Sequence, residues 1–161
     1  MSIVGARLDS PDAAVPTGVA LGSHGVGPIS WYLRFGARWN TIGRIDRALL
    51  TLSPLPGAPV GQHDVPVDAW RVTEQWSADE LAWLDQPDAA LPHARGIARG
   101  APAQDLRLDV TELAAFWQAH GHENHGLVLR TGSRKGLGVT FATGAAAARG
   151  PELELYVARE Q

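Results

Sequence analysis

Prolines and glycines recur along the whole chain and leave only short apolar segments between them. The 161 residues include 18 glycines and 11 prolines. Proline disrupts a helix because it lacks a backbone N–H and because its ring clashes with the preceding turn, and the missing donor also excludes it from central strands. Short apolar segments bounded by such residues are typical of strands. The sequence therefore predicts a mostly β protein.

Several of these segments show the alternation of apolar and polar residues that a strand with one wet face requires. In ELELYVA, for example, Leu153 and Leu155 alternate with Glu152 and Glu154. The predicted strands are 31–35, 48–52, 65–72, 106–110, 126–130, 137–142 and 152–158. Many short strands with few helices favour a β-sandwich.

One segment, DVTELAAFWQAHG at 109–121, has the periodicity of a helix. Three of its apolar residues fall at i, i+3 and i+4 and form one stripe. They are Leu113, Phe116 and Trp117. Either Asp109 or Thr111 can cap the N-terminus. We expect Gly121 to end the helix in a left-handed turn.

The segment WRVTEQWSADELAWLDQP at 70–87 is rich in tryptophan and acids, but its apolar residues follow a helical period poorly. Val72 and Thr73 favour a strand because they are β-branched. We predict a strand as far as about Thr73, then a corner, a turn capped by Ser77 and an extended exit to Pro87. The tryptophans would then close one end of a sandwich.

The charge and composition exclude several classes of protein. There are 14 basic and 17 acidic residues, giving a formal charge of -3, so we expect neither a nucleic-acid partner nor a membrane partner. The absence of cysteine excludes disulfides and sulfur-ligated zinc. The start, MSIVGARLDSPDAAV, does not look like a cleaved signal peptide. We therefore expect a cytoplasmic protein, a component of an assembled particle, or export by a signal-independent route.

The segment RVTEQWSADELAWLDQP resembles the signature of the DNRLRE family, whose members are bacterial and archaeal jelly-roll β-sandwiches. The similarity continues in the same order elsewhere and spans Trp31 to Val157. It covers YLRF at 32–35, IDRALLTLSPL at 45–55, LDVTELAAFWQAHGHENHGLVLRTGS at 108–133 and VTFATGAAAARGPELELYV at 139–157. The chain departs from the family at Ala82 and Gly144, where the family has Thr and Glu, so no ligand site is carried over from it.

This resemblance implies a single antiparallel jelly-roll-like β-sandwich with one short α-helix, occupying residues 31–161. In residues 1–30, the sequence of the family's opening strand is absent or poorly preserved. We therefore expect these residues to be an N-terminal segment that serves as an edge strand or as an arm that contacts a partner.

Two functions follow as hypotheses. Some relatives in the family are carbohydrate-binding modules, so the resemblance implies a non-catalytic module that binds a polysaccharide. The second hypothesis is a structural or decoration subunit of a larger assembly, such as a virion, an injection particle or a surface fibre. A sandwich that lacks an edge strand exposes backbone groups that a neighbouring chain can pair with. The partner would then be a scaffold protein or a second copy in a homo-oligomer.

The family pattern does not require Trp31, Trp39 or Trp70, and of these Trp39 and Trp70 are candidate contact residues. Trp39 lies in FGARWNTIGR, a polar connection between two strands. An exposed indole flanked by Arg38 and Asn40 would offer a sugar a flat apolar face with donors alongside, and would serve a protein contact equally well. Trp70 is the second candidate. We expect the tryptophans at family positions to fill the core, and these are Trp76, Trp83 and Trp117.

The stretch HGHENH at 120–125 is the one metal-like cluster in the sequence. Its imidazoles, His120, His122 and His125, are residue types that bind zinc or nickel. Their spacing matches no strong motif, so we expect a solvated loop and no metal. Calcium binding is kept as an alternative because relatives of such sandwiches often bind calcium, although no loop rich in Asp or Asn supports a site. We therefore expect no cofactor.

Four acids in the segment 70–87 are candidates for the pair of catalytic carboxylates of a glycosidase: Glu74, Asp79, Glu80 and Asp85. That mechanism needs two carboxylates facing each other across a cleft at a defined separation. Proximity in the sequence does not establish such a separation, so we expect a protein that is not an enzyme.

Overall fold

The computed structural model describes residues 2–7, 17–21, 29–82, 84–131, 138–145 and 148–158. The strands in these ranges are β1 (Ser2–Arg7), β2 (Gly18–Leu21), β3 (Ile29–Arg34), β4 (Ile45–Leu52), β5 (Val65–Val72), β6 (Ala89–Ala98), β7 (Leu106–Asp109), β8 (Leu127–Thr131), β9 (Val139–Ala142) and β10 (Glu152–Val157). One α-helix, α1, spans Thr111–Ala119, and short 3-10 turns lie at Trp39–Thr41 and Gly121–Glu123. Within these residues, no helix has the length and apolar character that a membrane span requires.

The strands form three sheets. The large sheet has five strands in the order β1-β3-β8-β5-β6, a second has the order β10-β4-β7, and β2 pairs with β9. All pairs are antiparallel except β1 with β3, which is parallel. The predicted mostly β sandwich with one short helix is confirmed, but the expectation of a wholly antiparallel fold is wrong at this one pair.

The main core lies between the large sheet and the other layer, and a smaller cluster of Tyr32, Val72, Trp76 and Val128 is separate from it. The main core includes Trp31 and Leu129 from the large sheet, Leu50 from β4, Phe141 from β9 and Trp117 from α1, and all of these are almost fully buried. Alternation along each strand sends the intervening residues to the outer faces. Burying this apolar surface is the main favourable term in the folding of such a domain.

Strand β6, the longest strand in the described residues, was not predicted. Its sequence AALPHARGIA contains a proline and a glycine and few residues with high β-propensity. Its position explains the glycine, because a Cβ at Gly96 would overlap the side chain of Leu108 in β7. Proline is tolerated because β6 is an edge strand. The contacts of β6 with neighbouring strands, and not its local β-propensity, therefore determine its extended conformation.

The predicted helix is confirmed as α1. The Asp109 carboxylate accepts hydrogen bonds from the backbone N–H and the hydroxyl of Thr111, which stabilises the first turn. Leu113 and Trp117 are buried as the apolar stripe requires. The expected left-handed turn at Gly121 is wrong: the helix ends at Ala119, and residue 121 begins a 3-10 turn without a positive φ.

The corner after β5 is also confirmed. The strand ends at Val72, and the hydroxyl of Ser77 donates to Glu80 in the turn that follows. Trp76 is 7% exposed and packs edge-to-face against Tyr32, with 5.6 Å between ring centroids. Trp83, which was expected in the core or the corner, lies outside the described residues.

The N-terminal segment contributes strands to this chain's own sheets. Residues 2–7 pair with β3 at one edge of the large sheet, and residues 18–21 pair with β9. The edge beside β3 is therefore covered by the chain itself. The opposite edge of the same sheet is β6.

Candidate functional site

The expected exposed indole at Trp39 is wrong. Trp39 is 3% exposed and packs against Trp117 of α1, with ring centroids 5.3 Å apart. The 3-10 turn at Trp39–Thr41 directs the indole inward, because burying so large an apolar side chain outweighs the polar character of its neighbours. Arg38 and Asn40 are exposed but flank no accessible ring. These three residues therefore do not form a contact platform.

Trp70 lies half-buried in β5, directly opposite His93 of β6 in the strand register. The two rings stack with 4.4 Å between their centroids and 14° between their planes. The His93 side chain is exposed. The imidazole therefore forms the outer layer of an aromatic pair, and the indole behind it fixes its orientation.

Charged groups flank this pair along the same face of the large sheet. Asp68 and Arg95 face each other across β5 and β6 and form an ion pair, with 2.6 Å between Oδ1 and Nε. Arg130 of β8 is paired with Asp68 in the strand register and donates a 3.3 Å hydrogen bond to the hydroxyl of Tyr32. Burial raises the pKa of Tyr32, so this hydroxyl stays protonated at neutral pH.

An open cleft of about 670 Å³ borders His93, and we call it the β6 cleft. Its polar lining consists of Asp46, Arg47, His93, Asp109, Thr111 and Glu112. Apolar residues of β6, of α1 and of the β7–α1 junction complete it: Ala94, Val110 and Leu113. The cleft therefore lies between the two layers of the sandwich, where β6 faces the start of α1.

Strand pairing brings these distant residues together. The first residues of β4 supply Asp46 and Arg47, and Asp109 ends β7, which pairs with β4. Helix α1 begins two residues after Asp109 and therefore presents Glu112 at the same point. His93 comes from the edge of the other layer.

The cleft carries more negative than positive charge. Three carboxylates, those of Asp46, Asp109 and Glu112, line it with the guanidinium of Arg47, and Arg44 at its border forms a 2.9 Å ion pair with Asp46. Arg47 Nε lies 3.5 Å from the carboxylate of Asp109. The hydroxyl and the backbone N–H of Thr111, together with this guanidinium, hold the pKa of Asp109 below its ordinary value. Asp109 is therefore ionised at neutral pH and already engaged by its own chain.

Glu112 differs from Asp109 in having no internal partner. In the described part of the chain, its carboxylate makes no hydrogen bond and no ion pair, and the residue is exposed. It lies in the first turn of α1, where the positive end of the helix dipole favours a negative charge. Among the described residues, Glu112 is therefore an exposed acceptor that its own chain does not engage.

A smaller cleft of about 410 Å³ lies within the segment that follows β5, and we call it the loop cleft. Glu74, Glu80 and Asp85 line it together with Trp76. Glu74 accepts a hydrogen bond from the backbone N–H of Asp88, and Glu80 accepts one from Ser77. Two of its three carboxylates are thus used to close the loop.

The predicted histidine cluster does not assemble. His120 stacks on Phe116, with ring centroids 4.6 Å apart, while His122 is exposed beside Glu123. Burial lowers the pKa of His125. Across the residues that the structure describes, no three side chains of His, Asp or Glu are arranged to hold a metal ion. The calcium hypothesis gains no site from these residues.

Sequence reasoning included Trp70 in the site but missed His93, because β6 was not recognised as a strand. A prediction of the β5–β6 hairpin would have given the pairing of the two rings, since cross-strand neighbours follow from the register. Asp46, Arg47 and Glu112 carried no local signal, because the β6 cleft exists only once the two layers pack.

Comparisons of the chain with protein-family models, with curated proteins and with solved structures found no match.

Proposed function

We propose that the protein is a non-catalytic carbohydrate-binding module and that its polysaccharide ligand enters the β6 cleft. The observation that carries this proposal is the Trp70–His93 stack, which presents an exposed ring on the outer face of the large sheet beside a cleft that His93 lines together with carboxylates and a guanidinium. Membership of the DNRLRE family, in which such modules occur, stays a prediction made from the sequence.

The chemistry of a sugar matches this arrangement. A pyranose ring has faces of CH groups that pack on an aromatic surface and a rim of hydroxyls that need donors and acceptors. Here the imidazole of His93 supplies the surface, Glu112 accepts, and Arg47 donates. The stack on Trp70 orders the imidazole before binding, which lowers the entropic cost of association.

The excess of carboxylates argues for a neutral glycan. Uronic acids would bring further negative charge beside the unpaired carboxylate of Glu112, and like charges at close range are unfavourable. We therefore expect neutral polysaccharides to bind and polyuronates not to bind.

The lowered pKa of the Asp109 carboxylate supports binding without catalysis. A glycosidase needs one carboxyl group with a raised pKa that acts as a general acid. The hydrogen bonds from Thr111 and the charge of Arg47 shift the pKa of Asp109 in the opposite direction. A carboxylate held in this way stabilises the start of α1 and does not deliver a proton.

The proposal is tested by affinity electrophoresis in gels containing neutral polysaccharides or polyuronates. We expect a neutral polymer to retard the wild-type protein and His93→Ala to weaken that retardation by about tenfold or more in apparent affinity. His63→Ala is the matched control, because this exposed histidine lies in the turn before β5, away from the cleft. Equal retardation of wild type and His93→Ala would refute the proposed site, and no retardation by any polymer would refute the function.

A structural subunit of a larger assembly is the second candidate. It is favoured by the exposed apolar side chains of Leu84, Leu91 and Ile97, which are 97%, 64% and 49% exposed. Such residues are often used at protein contacts. Electron microscopy of concentrated protein distinguishes the candidates, because a subunit forms extended or closed particles by itself or with its scaffold, whereas a glycan-binding module does not.

A further inference from the structure

We propose that a glycan in contact with His93 continues away from the β6 cleft across the outer face of the large sheet, and that Arg130 binds a hydroxyl group further along the same chain. Arg130 is then the residue that makes the protein prefer long chains over short ones. This inference rests on the proposed function and deepens it, because it adds a second subsite for the same ligand.

Two neighbouring rows of side chains cover the outer face where β8, β5 and β6 lie side by side. Trp70 and His93 belong to the first row. Two residues away along β5, Asp68 belongs to the second row, with Arg95 on one side and Arg130 on the other. Residues two apart on a strand point to the same face of a sheet. The two rows therefore form one continuous surface.

The separation of His93 from Arg130 requires a ligand longer than one sugar ring. Arg130 lies two strands from His93, about 10 Å across the sheet, and two residues further along, about 7 Å. Its guanidinium is held at Tyr32 of β3, on the side of β8 that faces away from β6. The path between the two residues is accessible, because Arg95 is exposed and Asp68 is half-buried.

The guanidinium of Arg130 is oriented by its own chain. Its Nη2 donates a 3.3 Å hydrogen bond to the hydroxyl of Tyr32 and lies 3.5 Å from Oε1 of Gln86. Tyr32 is fully buried, and its hydroxyl donates to the carbonyl oxygen of Pro87 at 3.3 Å. A donor that is ordered in this way loses less conformational entropy on binding than a free arginine side chain.

Arg130 also keeps donors that the described part of the chain does not use. There, its Nε and Nη1 make no hydrogen bond and its guanidinium forms no ion pair. Arg95, in contrast, is bound by Asp68 through two hydrogen bonds. A guanidinium carries five N–H groups in a fixed fork, so the remaining groups of Arg130 can donate to the oxygen of a sugar hydroxyl.

The side chains beside Arg130 favour a ligand rich in hydroxyl groups over an apolar one. An apolar ligand would cover the ion pair of Asp68 with Arg95 and remove its hydration without replacing it, which costs free energy. A sugar chain replaces that hydration with its own hydroxyl groups. The aromatic row at Trp70 and His93 and the charged row beside it thus match the CH faces and the hydroxyl rim of one chain.

The test is isothermal titration calorimetry of the full chain with malto-, cello-, xylo- and manno-oligosaccharides from the disaccharide to the hexasaccharide. In the series that binds, we expect affinity to rise by about tenfold or more with length, because only the longer members reach Arg130. Arg130→Met keeps the apolar stem and removes the donors. It should bind the disaccharide like the wild type but lose the gain with length, whereas His93→Ala should weaken every length.

Arg107→Met is the matched control, because Arg107 is an exposed arginine of β7 in the other layer. It should keep the full gain. We expect Arg130→Met to fold, since Tyr32 keeps its hydrogen bond to Pro87, and thermal unfolding checks this. The length dependence of the wild type tests the inference without any variant.

The outcomes separate this inference from the proposed function. Wild-type affinity that does not rise with length overturns the second subsite and leaves glycan binding in place. The same holds if Arg130→Met keeps the gain or weakens all lengths equally, as a purely structural role would. If no oligosaccharide of any length binds, the proposed function is refuted and this inference with it.

Discussion

The imidazole of His93 lies parallel to the indole of Trp70, with 4.4 Å between the ring centroids. The pairing of β5 with β6 sets the two residues directly opposite each other. One ring is half-buried and the other is exposed on the outer face of the large sheet, and His93 also borders the β6 cleft. The proposed glycan site therefore depends on a strand that local sequence preferences do not predict.

Trp39 is buried and stabilises the core. Trp39→Ala removes the contact with Trp117 and should lower the free energy of unfolding by about 3–5 kcal/mol. Denaturant titration measures this loss. Arg38→Ala changes the exposed neighbour and should cost less than about 0.5 kcal/mol. Similar losses in the two variants would contradict the buried position of Trp39.

Gly126 is required by its backbone conformation and by the lack of space around it. Its φ is +86°, and a Cβ there would overlap the carbonyl oxygen of Leu33. Gly126→Ala should lower the unfolding free energy by about 1–3 kcal/mol or more. Gly121→Ala is the matched control, because nothing lies within 4 Å of its Cβ position and its φ is not positive. Thermal unfolding that is unchanged in Gly126→Ala would be inconsistent with this turn.

Asp109 makes part of the stability depend on acid pH. Its folded-state pKa lies below the ordinary value of 3.8, so its ionised form stabilises the fold above that pH and the contribution is lost as pH falls through the folded-state pKa. Asp109→Asn keeps a capping acceptor but removes the charge. We expect it to lower the unfolding free energy by about 0.3–1 kcal/mol at neutral pH and to match the wild type in strong acid.

Denaturant titrations at several pH values measure this difference. Asp79→Asn serves as the control because Asp79 is exposed and makes no hydrogen bond or ion pair with the described residues. A difference between Asp109→Asn and wild type that is constant from neutral to strongly acid pH would argue against the lowered pKa.

Glu112 should contribute to glycan affinity as a free acceptor. Glu112→Gln keeps the shape of the side chain but replaces a charge-assisted hydrogen bond by a neutral one of roughly half the strength. We expect the dissociation constant for a neutral polysaccharide to rise by about threefold to tenfold in calorimetric titrations. Glu74→Gln makes the same change in the loop cleft and should leave the constant unaltered. A weaker affinity in Glu74→Gln with no change in Glu112→Gln would indicate that the ligand binds in the loop cleft.

The sequence predicted those elements whose own residues carry the pattern. Strand β4 and helix α1 follow from the spacing of Leu50 and Leu113 with their neighbours, and the corner follows from Ser77 and Glu80. These features depend on local hydrogen bonds and on periodic burial, both of which are visible in a short segment.

The parts that could not be predicted depend on contacts between distant segments. Strand β6 is held by pairing with β5 and by the fit of Gly96 against Leu108, neither of which is evident in AALPHARGIA. Trp39 is buried because it packs against Trp117 of α1, which lies far away in the sequence. The β6 cleft arises from the packing of two layers, so its residues carried no shared signal.

The proposed binding mode requires a glycan to contact the exposed face of the His93 ring. NMR titration of the histidine imidazole resonances with a soluble neutral oligosaccharide tests it most directly, because the chain has only six histidines. We expect the His93 ring signals to shift in proportion to saturation while those of His63 stay fixed. Shifts confined to other histidines, or the absence of any shift at glycan concentrations that bind the protein, would contradict it.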